Sequence, residues 1–406
     1  LRWKREWTQL VLLFLTLRLV YSALGFIVAS GPDPEPLASG PIYEAAEGLL
    51  RTGPVSDSFI NVWFRWDTGW YLKISGFGYD PTDGSAVFPP LYPLLVRLLS
   101  TLTWDYLFSA LLISNLAILA SFILLYEVAC AEGMDPKKAH QAVFSLAFFP
   151  SAFFLFTAYT DSLFLALALG TWLAARRGQW LTAGLLGGLA TICRLQGVLL
   201  FPVLVLAWTA RLVRADRSSP AETVTAIAEL LMTREGWKRF LTSLIKPSAL
   251  GIFIPALAFA GYTAFLHFSG LGSIPAALET HWGIRTVTPW AGVLLFFDRL
   301  SGTPRIFMDY IDLTALLIVL ALLVAGMGRL SPMLSLYAWL TLAIIFMRGT
   351  PPHLLGAFNR FALSLFPAFL VYGRLQNRLV RLFLWVLSFA VQVFLVLGFL
   401  DWRWVG

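Results

Sequence analysis

The sequence predicts an all-α integral membrane protein, a bundle of about eleven transmembrane helices with a large loop after the first. Three observations lead there. Of 406 residues, 58% are hydrophobic and only 13% charged, against about 25% charged in soluble domains. Mean hydropathy is +0.74. The aromatic share is 15%, with 33 Phe and 16 Trp, a composition suited to lipid-facing and interfacial surfaces. Soluble globular, disordered and collagen-like classes are excluded. The net charge of +7 reads as membrane orientation before it reads as nucleic-acid binding, because Lys and Arg collect in cytoplasmic loops. No nucleic-acid partner is expected.

The chain opens on Leu-Arg-Trp-Lys-Arg, followed by an apolar stretch from Thr8 to Ala29. That stretch is long for a signal peptide and carries Arg18, so it reads as a retained signal-anchor helix. A start at Leu1 reads as a truncated or alternatively initiated chain. Further apolar spans follow near 107–131, 140–158, 162–175, 180–197, 198–212, 247–268, 311–326, 334–347, 361–373 and 382–400. Several fall short of the roughly 20 residues a perpendicular span needs. Such segments fit short or broken helices lining a protein cavity. The segments assigned inside hold 18 Lys and Arg in 70 residues, and those assigned outside hold 10 in 138. This asymmetry predicts an inside N-terminus and an outside C-terminus. Residues 1–406 thus form one polytopic domain, with 30–106 and 269–310 as outside loops. Residues 211–246 form an inside amphipathic connector, where Ser219-Pro220 resembles a helix cap and first position. Arg18 is expected to pair with Glu127 as a structural contact.

The first outside loop is the most informative segment. It begins with Gly-Pro-Asp-Pro-Glu-Pro (31–36), which cannot continue a helix. In the stretch 61–73, Trp63, Trp66 and Trp70 recur at helical spacing, which predicts a short interfacial helix with one aromatic face. Asp67 then sits about 100° round from Trp66, at the edge of that wall. The plain alternative is a solvated carboxylate or a partner for Arg65 or Lys73. Residues 76–81 read as a turn, and the three prolines in 86–95 predict rigid irregular chain.

These residues resemble a known family. Arg65-Trp66-Asp67, Tyr71, Gly78-Tyr79 and Phe88-Pro-x-x-Tyr92-Pro are similar to the first luminal loop of the PIG-V family. Phe149-Pro150-Ser151, Tyr159-Thr-Asp161-Ser162, Arg194-Leu-Gln196-Gly197, Asn359-Arg360-Phe361 and Pro367 extend the likeness over most of the chain. Asp161 stands where glutamate is frequent, and Gln196 where asparagine is frequent. Residues 269–350 carry no matching motif. The resemblance implies a GT-C glycosyltransferase, a multi-span enzyme that takes mannose from a polyprenyl or dolichyl phosphate to a glycolipid or glycan acceptor. It implies an active site facing outside, inversion at the transferred sugar and a plasma-membrane location.

It also gives the residues roles. Such transfer needs a carboxylate to take the acceptor's proton and cationic groups to neutralise the departing phosphate. The phosphate leaves without an acid, so one base suffices. Asp67 is the candidate base. Arg65, Trp66, Tyr71, Tyr159, Asp161 and Gln196 are candidate substrate contacts. Arg194, Arg360 and His353 are candidates for the donor phosphate, since arginine forks match phosphate oxygens. Arg194 also reads as a snorkelling helix-end residue. His281-Trp282 and Arg285 form a weaker outside cluster. The two cysteines and four histidines show no metal spacing, and no cofactor is expected. The competing classes are a lipid or solute transporter, and a GT-C enzyme using another lipid-phosphate sugar. A transporter would place its polar residues near mid-membrane, whereas here they gather in one outside loop.

Overall fold

The first apolar stretch forms one helix, Arg5–Ala29. In this computed structural model, residues 5–32, 39–213, 219–302, 306–349 and 355–405 are described. Among them six helices are long and apolar enough to cross a membrane: Arg5–Ala29, Tyr106–Ala131, Leu195–Leu212, Pro247–Phe268, Phe307–Gly326 and Arg378–Leu400. Shorter apolar helices accompany them at Leu91–Thr103, Trp180–Cys193 and Pro332–Phe346. The chain is an all-α, multi-pass membrane protein. Its only sheet among the described residues pairs Arg285–Thr286 with Arg348–Gly349.

Two stretches read as spans are broken instead. Residues 140–158 divide into a helix ending at Ala147 and a short 3-10 turn, Ala152–Phe156. Residues 361–373 divide into short turns and a helix at Phe366–Tyr372. Pro150 and Pro367 lie at these breaks, where proline withholds a backbone donor. The breaks face protein rather than lipid, with Phe153, Phe154, Phe156 and Leu365 buried. Polar side chains of the neighbouring helix take up freed carbonyls. Asn115 Nδ2 donates to Phe156 O at 3.2 Å and Ser114 Oγ to Tyr159 O at 3.0 Å. Broken backbone at membrane depth survives only under such cover.

The first loop differs from the single helix expected over 61–73. Asn61–Trp63 is a 3-10 turn and the helix begins at Asp67, running to Phe77. Trp66 at φ 48° separates the two. Tertiary packing overrides the tryptophan spacing. Trp63 is fully buried against the first helix, where Gly25 leaves room for it, and Trp70 stacks on Phe88 at 5.2 Å. Residues 86–95 are irregular only as far as Pro90. A helix, Leu91–Thr103, follows with Leu94, Leu98 and Leu102 exposed, an apolar stripe suited to lipid.

Arg18 does not pair with Glu127. Its guanidinium lies over the Trp63 ring at 5.3 Å, while Glu127 accepts from Trp7 Nε1 at 3.1 Å. Eleven residues of helix, about 16 Å, separate the two levels. In the connector, Ser219 caps the helix Pro220–Leu231 and Glu222 returns a bond to its backbone, a complete capping box.

Gly184 marks a close approach between backbones. A β-carbon there would meet Gly251 O at 1.8 Å, in a rigid backbone. Gly184→Val should therefore destabilise by at least the roughly 1–3 kcal/mol of an overpacked core. Thermal unfolding in detergent checks this, and an unchanged midpoint would refute the close approach.

Candidate active site

Asp67 opens its helix, so its carboxylate sits at the positive end of the helix dipole. Trp66, just before it, holds a left-handed backbone that costs a non-glycine residue about 1–3 kcal/mol.

Asp161 opens another helix, Asp161–Arg176, and is buried. Arg194, just past the helix Trp180–Cys193, binds its Oδ1. Arg360 binds its Oδ2 through Nε at 3.2 Å and Nη2 at 3.0 Å. The remaining nitrogen of that guanidinium, Nη1, reaches Asp67 Oδ2 at 2.7 Å. Burial alone would raise the Asp161 carboxyl, but the Arg194 and Arg360 charges prevail and hold it below the usual carboxylate range.

Arg360 is aimed with care. It stacks over Tyr159 at 4.4 Å and Phe154 at 5.2 Å. Asp312 accepts from the backbone of Ala357 at 3.1 Å and of Asn359 at 2.8 Å, fixing the turn that carries it. Tyr71 and Thr160 share a hydrogen bond of 3.1 Å beneath the cluster.

These groups border a cavity of about 1080 Å³. Asp67, Tyr71, Arg194, Gln196 and Arg360 line it. Gln196 Nε2 has no hydrogen-bond partner among the described residues. Arg65, Trp66, Tyr159 and Asp161 stand behind the wall. Arg65 donates to Leu400 O at 2.8 Å and Tyr159 Oη to Arg65 O at 3.2 Å, so both tie the first loop to the bundle. His353 lies outside the described residues. Of the second-loop cluster, Trp282 lines the cavity and lies tilted against the Trp70 ring at 5.2 Å. His281 packs on Gly84, and Arg285 pairs with Glu279 at the exposed surface.

The sequence reading missed Arg348. It lines the same cavity and lies over the Phe361 ring at 4.5 Å, with Arg194 over that ring at 5.4 Å. The one signal available was a lone cation ending the apolar run 334–347. Burial, helped by the charges of Arg360 and Arg194, pulls its guanidinium down to about 10. Among the described residues no three His, Cys, Asp or Glu side chains form a metal-binding group.

The family model described as mannosyltransferase (PIG-V) matches residues 6–289. The chain belongs to the PIG-V mannosyltransferase family. The matched stretch includes Asp67, Asp161, Arg194 and Gln196, and ends before Arg348 and Arg360. Among solved structures, the chain is similar to ArnT from Cupriavidus metallidurans bound to undecaprenyl phosphate, at 15% identity and TM-score 0.47 over 95% of this chain and 63% of that one. It is also similar to the Archaeoglobus fulgidus oligosaccharyltransferase in complex with Zn and sulfate, at 14% identity and TM-score 0.44 over 97% of this chain. The chain spans 63% and 53% of those two lengths. No curated protein matches it.

Proposed function

We infer that this chain transfers mannose from a polyprenyl-phosphate-mannose donor to a hydroxyl of a glycolipid or glycan, inverting the linkage, at the extracytoplasmic side of the membrane. One observation carries the reading. Asp67 meets Arg360 at 2.7 Å on the wall of a cavity that Arg194 and Arg348 also line. A base for the acceptor hydroxyl thus stands beside cations for the leaving phosphate. Attack and departure are served by one constellation, without a second carboxylate acting as acid.

The roles divide by position. Asp67 takes the proton as the acceptor oxygen attacks the anomeric carbon. Arg194, Arg348 and Arg360 neutralise the phosphate that leaves with the bonding electrons. Asp161 is the anchor that orients two of those arginines. Gln196 Nε2 offers a donor to a sugar hydroxyl. The cavity exceeds the roughly 300–1,000 Å³ of common small-ligand sites, in keeping with two substrates meeting there.

The direct test incubates purified protein with polyprenyl-phosphate mannose and candidate glycolipids, followed by mass analysis. A product heavier by one hexose is expected. Lipid movement across vesicles without any transfer would sink the reading in favour of a flippase.

Arg348 supplies a sharper test of the phosphate site. Arg348→Ala should raise the donor KM roughly 10- to 100-fold, the loss of one charge-assisted contact of about 1.5–3 kcal/mol. Arg348→Lys should recover only part of it. An unchanged donor KM in Arg348→Ala would remove it from the site.

A further inference from the structure

The segment after the last helix folds back over the rim of the cavity and is pinned at both ends. At one end Arg65 donates to Leu400 O at 2.8 Å and lies over the Trp402 ring at 4.7 Å. Trp402 is buried, with Tyr43, Phe64 and Trp66 all edge-on to it at 5.9–6.4 Å. At the other end Asn359, next to Arg360, donates Nδ2 to the carbonyl of buried Val405 at 3.3 Å.

Between these anchors Trp404 remains 40% exposed and lines the cavity. Its ring stands 5.2 Å from Trp66, the residue before Asp67, at an interplanar angle of 81°. The strap is thus held firmly while one large ring is left half-uncovered in the cavity that the candidate base also lines. Trp402 at φ 60° takes a strained backbone to make that turn.

A pyranose ring carries patches of C–H bonds on its faces and hydroxyls round its edge. The faces pack on aromatic planes while the edge stays free to hydrogen-bond. We propose that Trp404 is the platform for the acceptor's sugar ring, holding the reacting hydroxyl beside Asp67. The acceptor is then a glycolipid or glycan that presents a pyranose, rather than a bare lipid alcohol. The assignment to acceptor follows from which side each group occupies. Trp404 packs on Trp66, the chain neighbour of Asp67, whereas Arg194 and Arg348 gather round Phe361, which this reading gives to the donor phosphate. This inference rests on the transferase reading above.

The test uses the full chain in detergent, with Trp404→Ala, Trp404→Phe and Trp404→Leu, a polyprenyl-phosphate-mannose donor and a pyranose-bearing glycolipid acceptor. Trp404→Ala is expected to raise the acceptor KM roughly three- to tenfold, as for loss of one aromatic stacking partner, and to leave the donor KM unchanged. Phe should restore most of the affinity, and Leu, apolar but without a π face, should not. The proposal is overturned if donor and acceptor KM rise together, if Leu restores as well as Phe, or if the acceptor KM does not move; the ring then serves packing or lipid contact. Should Trp404→Ala fail to fold, the Phe and Leu pair decides alone. A wild-type protein that transfers no sugar defeats the transferase reading, and this inference with it. A wild type that transfers, with Trp404→Ala unaltered, defeats this inference only.

Discussion

Asp67→Asn should lower turnover roughly 10²–10⁴-fold, the usual contribution of a positioned acid–base group, with donor KM nearly unchanged. The substitution keeps the shape of the side chain and removes only its basicity. Its amide oxygen can still accept from Arg360 Nη1, which now binds Asp67 Oδ2 at 2.7 Å. Arg360 also keeps both bonds to Asp161, so the fold should survive. The unfolding midpoint should therefore stay close to that of the parent while the rate collapses. Near-normal turnover would remove Asp67 from the mechanism. A large loss of stability would instead assign it to the scaffold.

Arg360→Ala should be the most damaging change, and for two reasons. The side chain is 7% exposed and joins two carboxylates from different helices. Removing one member of a buried ion pair leaves a charge uncompensated, at a cost of about 3–5 kcal/mol. Arg194 still holds Asp161, which places the expected loss toward the lower end of that range. Transfer should vanish as well, because the guanidinium nearest the base is gone. Neutralising the stranded carboxylate separates the two effects. Asp161→Asn added to Arg360→Met should recover much of the unfolding midpoint and none of the turnover. If turnover returns together with stability, Arg360 is a scaffold residue and the phosphate is held elsewhere.

Much of the local structure was legible in the sequence because it depends on neighbours along the chain. Ser219 and Pro220 adjoin, so the helix cap and first position could be read directly, and the structure adds the return bond from Glu222. The 61–73 stretch shows where such reading fails. Its tryptophans have helical spacing, but burying Trp63 against Gly25 and stacking Trp70 on Phe88 required a break at Trp66. Spacing records which residues share a face, and not what the face will meet.

The site divides in the same way. Asp67, Asp161, Arg194 and Arg360 were identifiable as charges in motifs or beside apolar runs, where a charge is costly without a purpose. Their convergence was not, because Arg360 lies 199 residues from Asp161 and 293 from Asp67. Arg348 and Trp404 had no motif around them, and each gains meaning only from the cavity it faces. Arg65 shows the reverse, a motif residue that bonds to Leu400 and Phe64 and is not part of the cavity lining.

Composition and hydropathy by themselves determined that the bilayer is this chain's solvent and that helices are its elements, since transfer free energies and backbone hydrogen bonding act residue by residue. Only the tertiary structure decided that Asp161 is the hub between two arginines, that one of them reaches Asp67, and that a half-uncovered tryptophan lines the same cavity. Those facts depend on how distant helices pack. Packing is set by the complementarity of whole surfaces, which no short window of sequence contains.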